Sequence, residues 1–314
     1  MKKKKIRGIL LFSGGLDSLL ALKIAERLNI KPLLLIFKSY FFDERLALKA
    51  IKENKITWPY RVIDISKEHF QLVKKPRFGY GKNMNPCLDC HLLMLKIAKK
   101  IKDKEKFDLV ITGEVLGERP MSQNLSALKL LEKKAKLKGY LLRPLSALLL
   151  EPTVLEKKGL IDRSKLLGIF SRSRKEQLEL ARKFALKWFP TPSGGCLLTD
   201  PSFSSRLAQL FKIAKRIRES DLELLKIGRH FLNEGKDWKA KIIIGRNHQE
   251  NEKLKALKEK KDILIELENY PGPTAFIRSY QGKISQNILE EAKELILRYA
   301  HKAQNKKDVR FRFI

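Results

Sequence analysis

One short segment constrains this chain more than any other. Ile6–Phe12 is an apolar run of buried-strand length, Ser18–Leu28 has the apolar spacing of a helix, and only Ser13-Gly-Gly-Leu-Asp-Ser18 joins them. A tight strand-to-helix connection is the building block of parallel α/β sheets. Two adjacent glycines let the backbone turn sharply and approach a ligand with no Cβ in the way. The first amides of the following helix then face that ligand, and the helix dipole favours an anion there. Ser13 and Ser18 add hydroxyl donors, and Gly14 and Gly15 supply the turn. Asp17 is unfavourable beside bare phosphate, so its place here implies a bound Mg²⁺ or a reacting group to position. No Gly-x4-Gly-Lys-Ser/Thr is present, which excludes the Walker loop.

The same alternation continues through the first half. Lys31–Phe37 and Tyr60–Ile65 read as strands, Glu44–Asn54 and Cys90–Ile101 as helices, and Asp108–Thr112 as a further strand. Unbroken apolar strands with short connections imply a parallel sheet covered on both faces. From Gly159 the pattern changes. Ile161–Phe170 and Arg174–Ala185 read as helices around a basic turn, Ser171-Arg-Ser-Arg174, followed by the Pro/Gly-marked Phe189–Cys196, which excludes regular structure. Beyond it, Phe203–Ile217 is a basic amphipathic helix suited either to tracking a phosphate backbone or to packing. Glu219–Phe231, Asn251–Glu259 and Gln286–Ala300 read as helices, and Ala240–Ile244 and Asp262–Leu267 as strands. The expected organisation is an α/β, parallel-sheet nucleotide domain over 1–170, a linker carrying the third cysteine over 171–202, and a smaller basic α+β domain over 203–314.

Charge narrows the partners. Lys plus Arg total 67 against 35 Asp plus Glu, a formal charge of +32, whereas a Lys-rich thermophile surface carries Glu in proportion. Such an excess attracts polyanions and supplies the sequence-independent part of nucleic-acid affinity. At 43% apolar residues the chain is not disordered. No apolar run reaches the roughly 20 residues of a membrane span. Met1–Lys5 is basic but leads straight into the glycine turn, which is not a signal-peptide pattern. Three cysteines do not make a secreted disulfide framework. The expectation is a soluble, cytoplasmic protein with no membrane partner.

Those cysteines form a pattern of their own. Asn85-Pro-Cys-Leu-Asp-Cys90 opens a helix with a C-x2-C pair, and Cys196 follows in Gly-Gly-Cys-Leu-Leu-Thr-Asp200. Structural zinc asks for four ligands, and a thioredoxin-like redox pair does not follow a third strand. Three thiolates suit a [4Fe–4S] cluster with one iron left open to an exogenous atom. A cysteine persulfide with a resolving thiol is the competing chemistry. Convergence of Cys196 on Cys87 and Cys90 would use the freedom of Gly194-Gly195.

Ser13–Ser18 resembles the PP-loop signature of ATP pyrophosphatases, which cleave ATP between the α and β phosphates and activate a substrate oxygen as an adenylate. Thr112-Gly-Glu-Val-Leu-Gly-Glu-Arg-Pro-Met-Ser-Gln123 is similar to a segment of tRNA 4-thiouridine synthetases, with Glu118 where that family usually has Gln, and Leu142-Arg-Pro-Leu145 resembles another. The cysteine frame resembles that of three-cysteine tRNA thiolation enzymes. The resemblance implies ATP and Mg²⁺ at Ser13, Gly14, Gly15, Asp17, Ser18, Phe37, Thr112, Gly113 and Arg119. It implies a [4Fe–4S] cluster on Cys87, Cys90 and Cys196, with those cysteines and Asp17 catalytic. It implies transfer of sulfur to a tRNA uridine, the 4-position favoured over the 2-position, from a sulfide or persulfide carrier. A homodimer is compatible with it. No THUMP-like domain is expected ahead of residue 6. Trp238-Lys-Ala-Lys241, Gly245-Arg-Asn247 and Pro271–Arg278 resemble an NFACT-type RNA-binding domain. This would place Lys239, Lys241, Arg246 and Arg278 on RNA phosphates, with Trp238, Phe276 and Tyr280 free to stack on bases. His230 and His248 read as structural residues. The alternatives left open are a cluster-free 2-thiouridylase, an amidating ligase, and a non-catalytic RNA-binding nucleotide sensor.

Overall fold

The computed structural model describes residues 5–170, 172–191 and 195–314, which fall into two compact units, Met1–Thr199 and Asp200–Ile314. Ser171 of the expected basic turn and Gly194 of the expected hinge lie outside the described residues.

The first unit contains β1 (Arg7–Leu11), α1 (Leu16–Arg27), β2 (Lys31–Lys38), α2 (Arg45–Glu53), β3 (Tyr60–Asp64) and α3 (Ser66–Lys74). It continues with α4 (Cys87–Glu105), β4 (Leu109–Ile111), α5 (Leu125–Lys134), β5 (Leu141–Leu142), α6 (Val154–Lys157) and α7 (Lys175–Lys183). All five strands are parallel, in the order β3-β2-β1-β4-β5. Side chains of β2 alternate between two cores. Leu34 and Ile36 pack with α1, while Leu33, Leu35 and Phe37 pack with Leu92 and Leu95 of α4, so the sheet is covered on both faces as the unbroken apolar strands imply. The chain runs outward from β1 to β3 and then returns to the far side of β1, so the strand order reverses between β1 and β4. Open α/β sheets bind ligands at the carboxyl edge of such a reversal. The loops leaving β1 and β4 are Ser13–Ser18 and the Thr112-Gly113-Glu114 segment.

Two parts of the expected organisation change. Ile161–Phe170 is not a helix, because Leu167 and Ile169 donate their amides sideways to Pro144 O (3.0 Å) and Leu145 O (2.8 Å), leaving only a short 3-10 turn at Arg163–Lys165. The region 171–202 does not stand apart as a linker. Its helix α7 packs on α1 with Ala181 in the sheet's core, and the unit boundary falls after Thr199.

The second unit contains α8 (Pro201–Ile213), α9 (Glu219–Leu224), β6 (Arg229–Glu234), β7 (Lys239–Ile244), α10 (His248–Ala256), β8 (Ile263–Leu267), β9 (Ala275–Gln281), α11 (Gln286–Tyr299) and β10 (Phe311–Phe313). Its antiparallel sheet runs β10-β8-β9-β7-β6. One face packs on α11 through Ile242, Ile244, Ile265 and Ile277, and the other carries Ile243, Leu264 and Phe276 against Leu224 and Leu254. The helix expected over Glu219–Phe231 ends at Leu224, and the chain turns at Gly228 into β6. Among the described residues no helix is long and apolar enough to cross a membrane.

Candidate active site

The Ser13–Ser18 loop is built by its own glycines. Gly14 sits at φ +76° with the α2 backbone so close that a Cβ would lie 2.6 Å from Ala47 Cα. Helix α1 starts at Leu16 with Gly15 as its cap and no side-chain capping bond, which leaves its first amides open. The Ser18 hydroxyl donates to Gly15 O at 2.8 Å, and Ser13 Oγ accepts from the Gly15 amide at 3.3 Å, so both serines also brace the turn. Gly113 closes the other side. A Cβ there would lie 2.6 Å from both the carbonyl carbon and oxygen of Asp17, so the β4 loop rests directly on the start of α1.

Around this junction the charges are close but loosely held. Asp17 Oδ1 is buried without a hydrogen-bond partner, while Oδ2 lies 3.7 Å from Arg174, whose Nε lies 3.8 Å from Glu118. These separations exceed hydrogen-bond distance. Burial pushes the Asp17 carboxyl up, and Arg174 and Arg119 pull it back. Glu118 is raised by burial and by Asp17. A second carboxylate this near raises the local demand for a cation. Arg174 was visible in the sequence only as part of a basic turn, since no motif marks it.

A contrasting network lies behind the loop. Glu114 is buried and accepts from Arg143 Nε at 2.8 Å and Thr112 Oγ1 at 2.9 Å, with His91 Nδ1 at 3.2 Å. Arg143 also reaches Glu132 at 3.2 Å. Despite its burial, Glu114 is held well below the usual carboxylate range by Arg143 and His91. The network ties α4, which carries Cys87 and Cys90, to the segment following β4. Two of the expected nucleotide contacts have their side chains engaged within the protein. The Thr112 hydroxyl is committed to Glu114, and Phe37 is 8% exposed within the α4-side core.

The three thiols are in this neighbourhood. Cys90 is buried, while Cys87 and Cys196 are partly exposed. Burial raises all three, Cys196 to about 11, and Cys90 is raised further by both Cys196 and Cys87. The exposed Arg119 acts in the opposite direction on Cys87 and Cys196, and it acts on Asp17 as well. Cys196 is held through its neighbours. The Leu197 amide donates to Phe41 O at 2.9 Å, and Asn83 Nδ2 donates to Thr199 O at 2.7 Å. Among the described residues no group of three or more His, Cys, Asp or Glu has metal-holding geometry.

In the second unit the expected RNA-contacting residues separate. Arg278 is 1% exposed, donating to Asp262 at 2.9 and 2.6 Å and to Asp221 at 2.8 Å, so it is an internal strut and not a phosphate contact. Phe276 is buried in the core, and the Tyr280 hydroxyl donates to Asp221 at 3.1 Å, which removes both as stacking platforms. Lys241 is also 1% exposed. Arg246 stays exposed while pairing with Glu250, and Lys239 is partly exposed on β7. The Gly-Arg-Asn and Gly-Pro-Thr turns meet through Asn251, whose Oδ1 accepts from the Thr274 amide at 3.1 Å, and Asn247 caps α10.

The profile of the thiamine biosynthesis protein (ThiI) family matches residues 4–187, well over half of the chain. The chain belongs to the ThiI family. Within that family assignment, residues 228–313 match the NFACT protein RNA binding domain. The chain is 28% identical over 143 residues to a probable tRNA sulfurtransferase of Finegoldia magna, covering 45% of this chain and 36% of that protein. It is 27% identical over 173 residues to a probable tRNA sulfurtransferase of Natranaerobius thermophilus, covering 53% of this chain and 40% of that protein. The aligned part of the chain thus spans well under half the length of the curated ThiI-family relatives it matches. Among solved structures, a 4-thiouridine synthetase–RNA complex with bound ATP aligns with TM-score 0.36 and 21% identity over 70% of this chain and 52% of that one. The U34-tRNA thiolase NcsA from Methanococcus maripaludis with its [4Fe-4S] cluster aligns with TM-score 0.34 and 18% identity over 71% and 72%. Cys196 lies beyond the ThiI match, so the family profile covers two of the three thiols.

Proposed function

We propose that the chain is an ATP-dependent tRNA sulfurtransferase that replaces a uridine carbonyl oxygen with sulfur, with the 4-position favoured. The observation that carries this reading is Arg119, whose charge acts at once on Asp17 of the phosphate loop and on Cys87 and Cys196. A nucleotide loop and a thiol group within one electrostatic neighbourhood suit a reaction that activates an oxygen and then displaces it with sulfur. The names of the two curated relatives point the same way.

In the proposed reaction the uridine carbonyl oxygen attacks the ATP α-phosphorus and pyrophosphate leaves. Sulfur then bonds to the activated carbon, and the carbon–oxygen bond breaks with AMP as leaving group. The open amides of α1 hold the phosphates. Asp17, with one buried oxygen lacking a partner, is suited to Mg²⁺, and Arg119 to phosphate charge. Bare thiols whose acidity is suppressed by burial are poor nucleophiles near neutrality, whereas coordination to a metal removes their protons. The donor set therefore fits a cluster held by Cys87, Cys90 and Cys196, which when bound would supply an iron free to carry sulfide. The competing chemistry at the same cysteines is a persulfide with a resolving thiol. The second unit is proposed to hold the tRNA, with Lys239 and Arg246 as its surface cations.

Incubation with unmodified tRNA, Mg-ATP and sulfide should yield thiolated uridine, AMP and pyrophosphate. Release of ADP, or no thiolated nucleoside from anaerobically reconstituted protein, would overturn the proposal. Mass spectrometry of the digested tRNA separates 4- from 2-thiouridine. Four irons per chain, lost in any single Cys→Ala variant, would separate cluster from persulfide.

A further inference from the structure

The second unit contains a buried lysine that makes no ion pair among the described residues, although Asp221 acts on it from beyond contact. Lys241 lies in the middle of β7 at 1% exposure, and its Nζ donates only to the Arg206 carbonyl at 3.2 Å. Arg206, partly exposed on α8, has its Nε buried without a hydrogen-bond partner. Among the described residues neither makes an ion pair. His230, on the strand beside β7, has Nε2 against Ile227 O at 2.8 Å and a buried Nδ1 with no partner. Arg246 lies exposed close enough to act on both Arg206 and His230.

The carboxylates that could answer these charges are already committed. Asp221 Oδ1 accepts from Arg278 and Tyr280, and its Oδ2 accepts from the Arg218 amide. Asp200 accepts from the Phe203 amide as the cap of α8, and Glu250 accepts from Arg246. Arg278 stands opposite Lys241 in the β7–β9 register, and the two residues contrast: one is saturated with carboxylates, and the other is in contact with none among the described residues. An unpaired cation removed from water costs several kcal/mol. Burial and the neighbouring positive charges push Lys241 down to about 8 and Arg206 downward despite Asp221 and Asp200, and burial lowers His230 to about 3, so that its ring is neutral.

We propose that Arg206 and Lys241, with the neutral His230 ring beside them and Arg246 at the rim, form a pocket for one tetrahedral oxyanion of the phosphate type. Lys241 provides the buried charge at its base, Arg206 Nε an unused directional donor, and Arg246 a positive approach. The occupant is either a phosphodiester of bound RNA or a free inorganic phosphate, which present the same oxygens. The pocket lies wholly in Asp200–Ile314 and rests on neither the thiolation chemistry nor the cysteines. Only the RNA alternative leans on the RNA-binding reading.

The test uses inorganic phosphate against the full chain at constant ionic strength, reading the thermal midpoint of wild type, Lys241→Met and Arg206→Gln. Any phosphate bound at the Ser13–Ser18 loop affects all three alike. At phosphate tenfold above its dissociation constant, wild type should gain about 3 °C more than either variant. Arg206→Gln, on a partly exposed helix position, keeps the test decisive should Lys241→Met not fold. An equal phosphate response in wild type and Arg206→Gln would overturn the pocket, whatever the outcome for thiolation or RNA. Phosphate that competes with tRNA in wild type but not in the variants would identify an RNA phosphodiester as occupant. A phosphate response without such competition would identify free phosphate.

Discussion

Two arginines, one in each unit, meet their carboxylates in opposite ways. Arg278 is enclosed by Asp221 and Asp262 at 2.6–2.9 Å, whereas Arg174 stands 3.7 Å from Asp17 and 3.8 Å from Glu118. Every donor position around Arg278 is occupied by protein, so nothing is left for a ligand. Around Arg174 the same two residue types face each other at distances that a hydrogen bond does not span, with Asp17 Oδ1 and Arg174 Nε both orphaned. Saturated charge holds a fold in register, and unsaturated charge marks where something else binds. Arg143 and Glu114, fully paired just behind the loop, belong to the first kind although they lie in the site's neighbourhood.

The largest effect that would break this contrast is at Arg278. Arg278→Met should destabilise the second unit by about 3–5 kcal/mol, because Asp221 and Asp262 are left buried without their cation. Chemical denaturation checks this, and a loss below 1 kcal/mol would show that the strut is dispensable. Asp17→Asn should do the reverse. It should cut sulfur transfer by about 100-fold or more while leaving the thermal midpoint equal or higher, since burial already penalises the carboxylate. A large drop in midpoint would move Asp17 into the saturated class. Gly113→Ala sharpens the comparison at smaller scale. With 2.6 Å to the Asp17 backbone, the added methyl should cost about 1–3 kcal/mol and weaken ATP binding together with stability. At neutral pH the smallest effect is at His69, buried against Ser39 Oγ with its pKa lowered to about 4 by burial. The unfolded chain takes up a proton below pH 6.5 that the native chain refuses, so stability should fall from pH 6.5 to about 4, by at most about 1.4 kcal/mol per pH unit. His69→Gln should flatten that slope in pH-dependent urea melts.

The Ser13–Ser18 turn and the parallel sheet were legible because their signals are local. Two glycines between a strand and a helix, and apolar strands of uniform length, carry the information in a few adjacent residues. The β4 segment was legible through resemblance, although the sequence could not show that Thr112 turns inward to Glu114. Arg278 was misjudged for a physical reason. Lys and Arg carry the same charge whether they face solvent or a buried carboxylate, and Asp221 lies 57 residues from Arg278. Alternation along β9 places Phe276 and Arg278 on one face, but β9 itself, behind Pro271-Gly-Pro, gave no strand signal. Arg174, Glu114 and His91 escaped notice because their partners are distant in sequence.

Gly113 pressed against the Asp17 backbone has a consequence for the order of events during synthesis. The phosphate loop emerges from the ribosome long before the loop that braces it, and at 5–20 residues per second a separation of ninety-six residues takes about 5–20 s. Cys196 follows Cys87 by a longer interval still. A nascent chain therefore carries its Ser13–Ser18 loop unbraced until the sheet has closed from β1 to β4, and its three thiols cannot come together until Cys196 has followed.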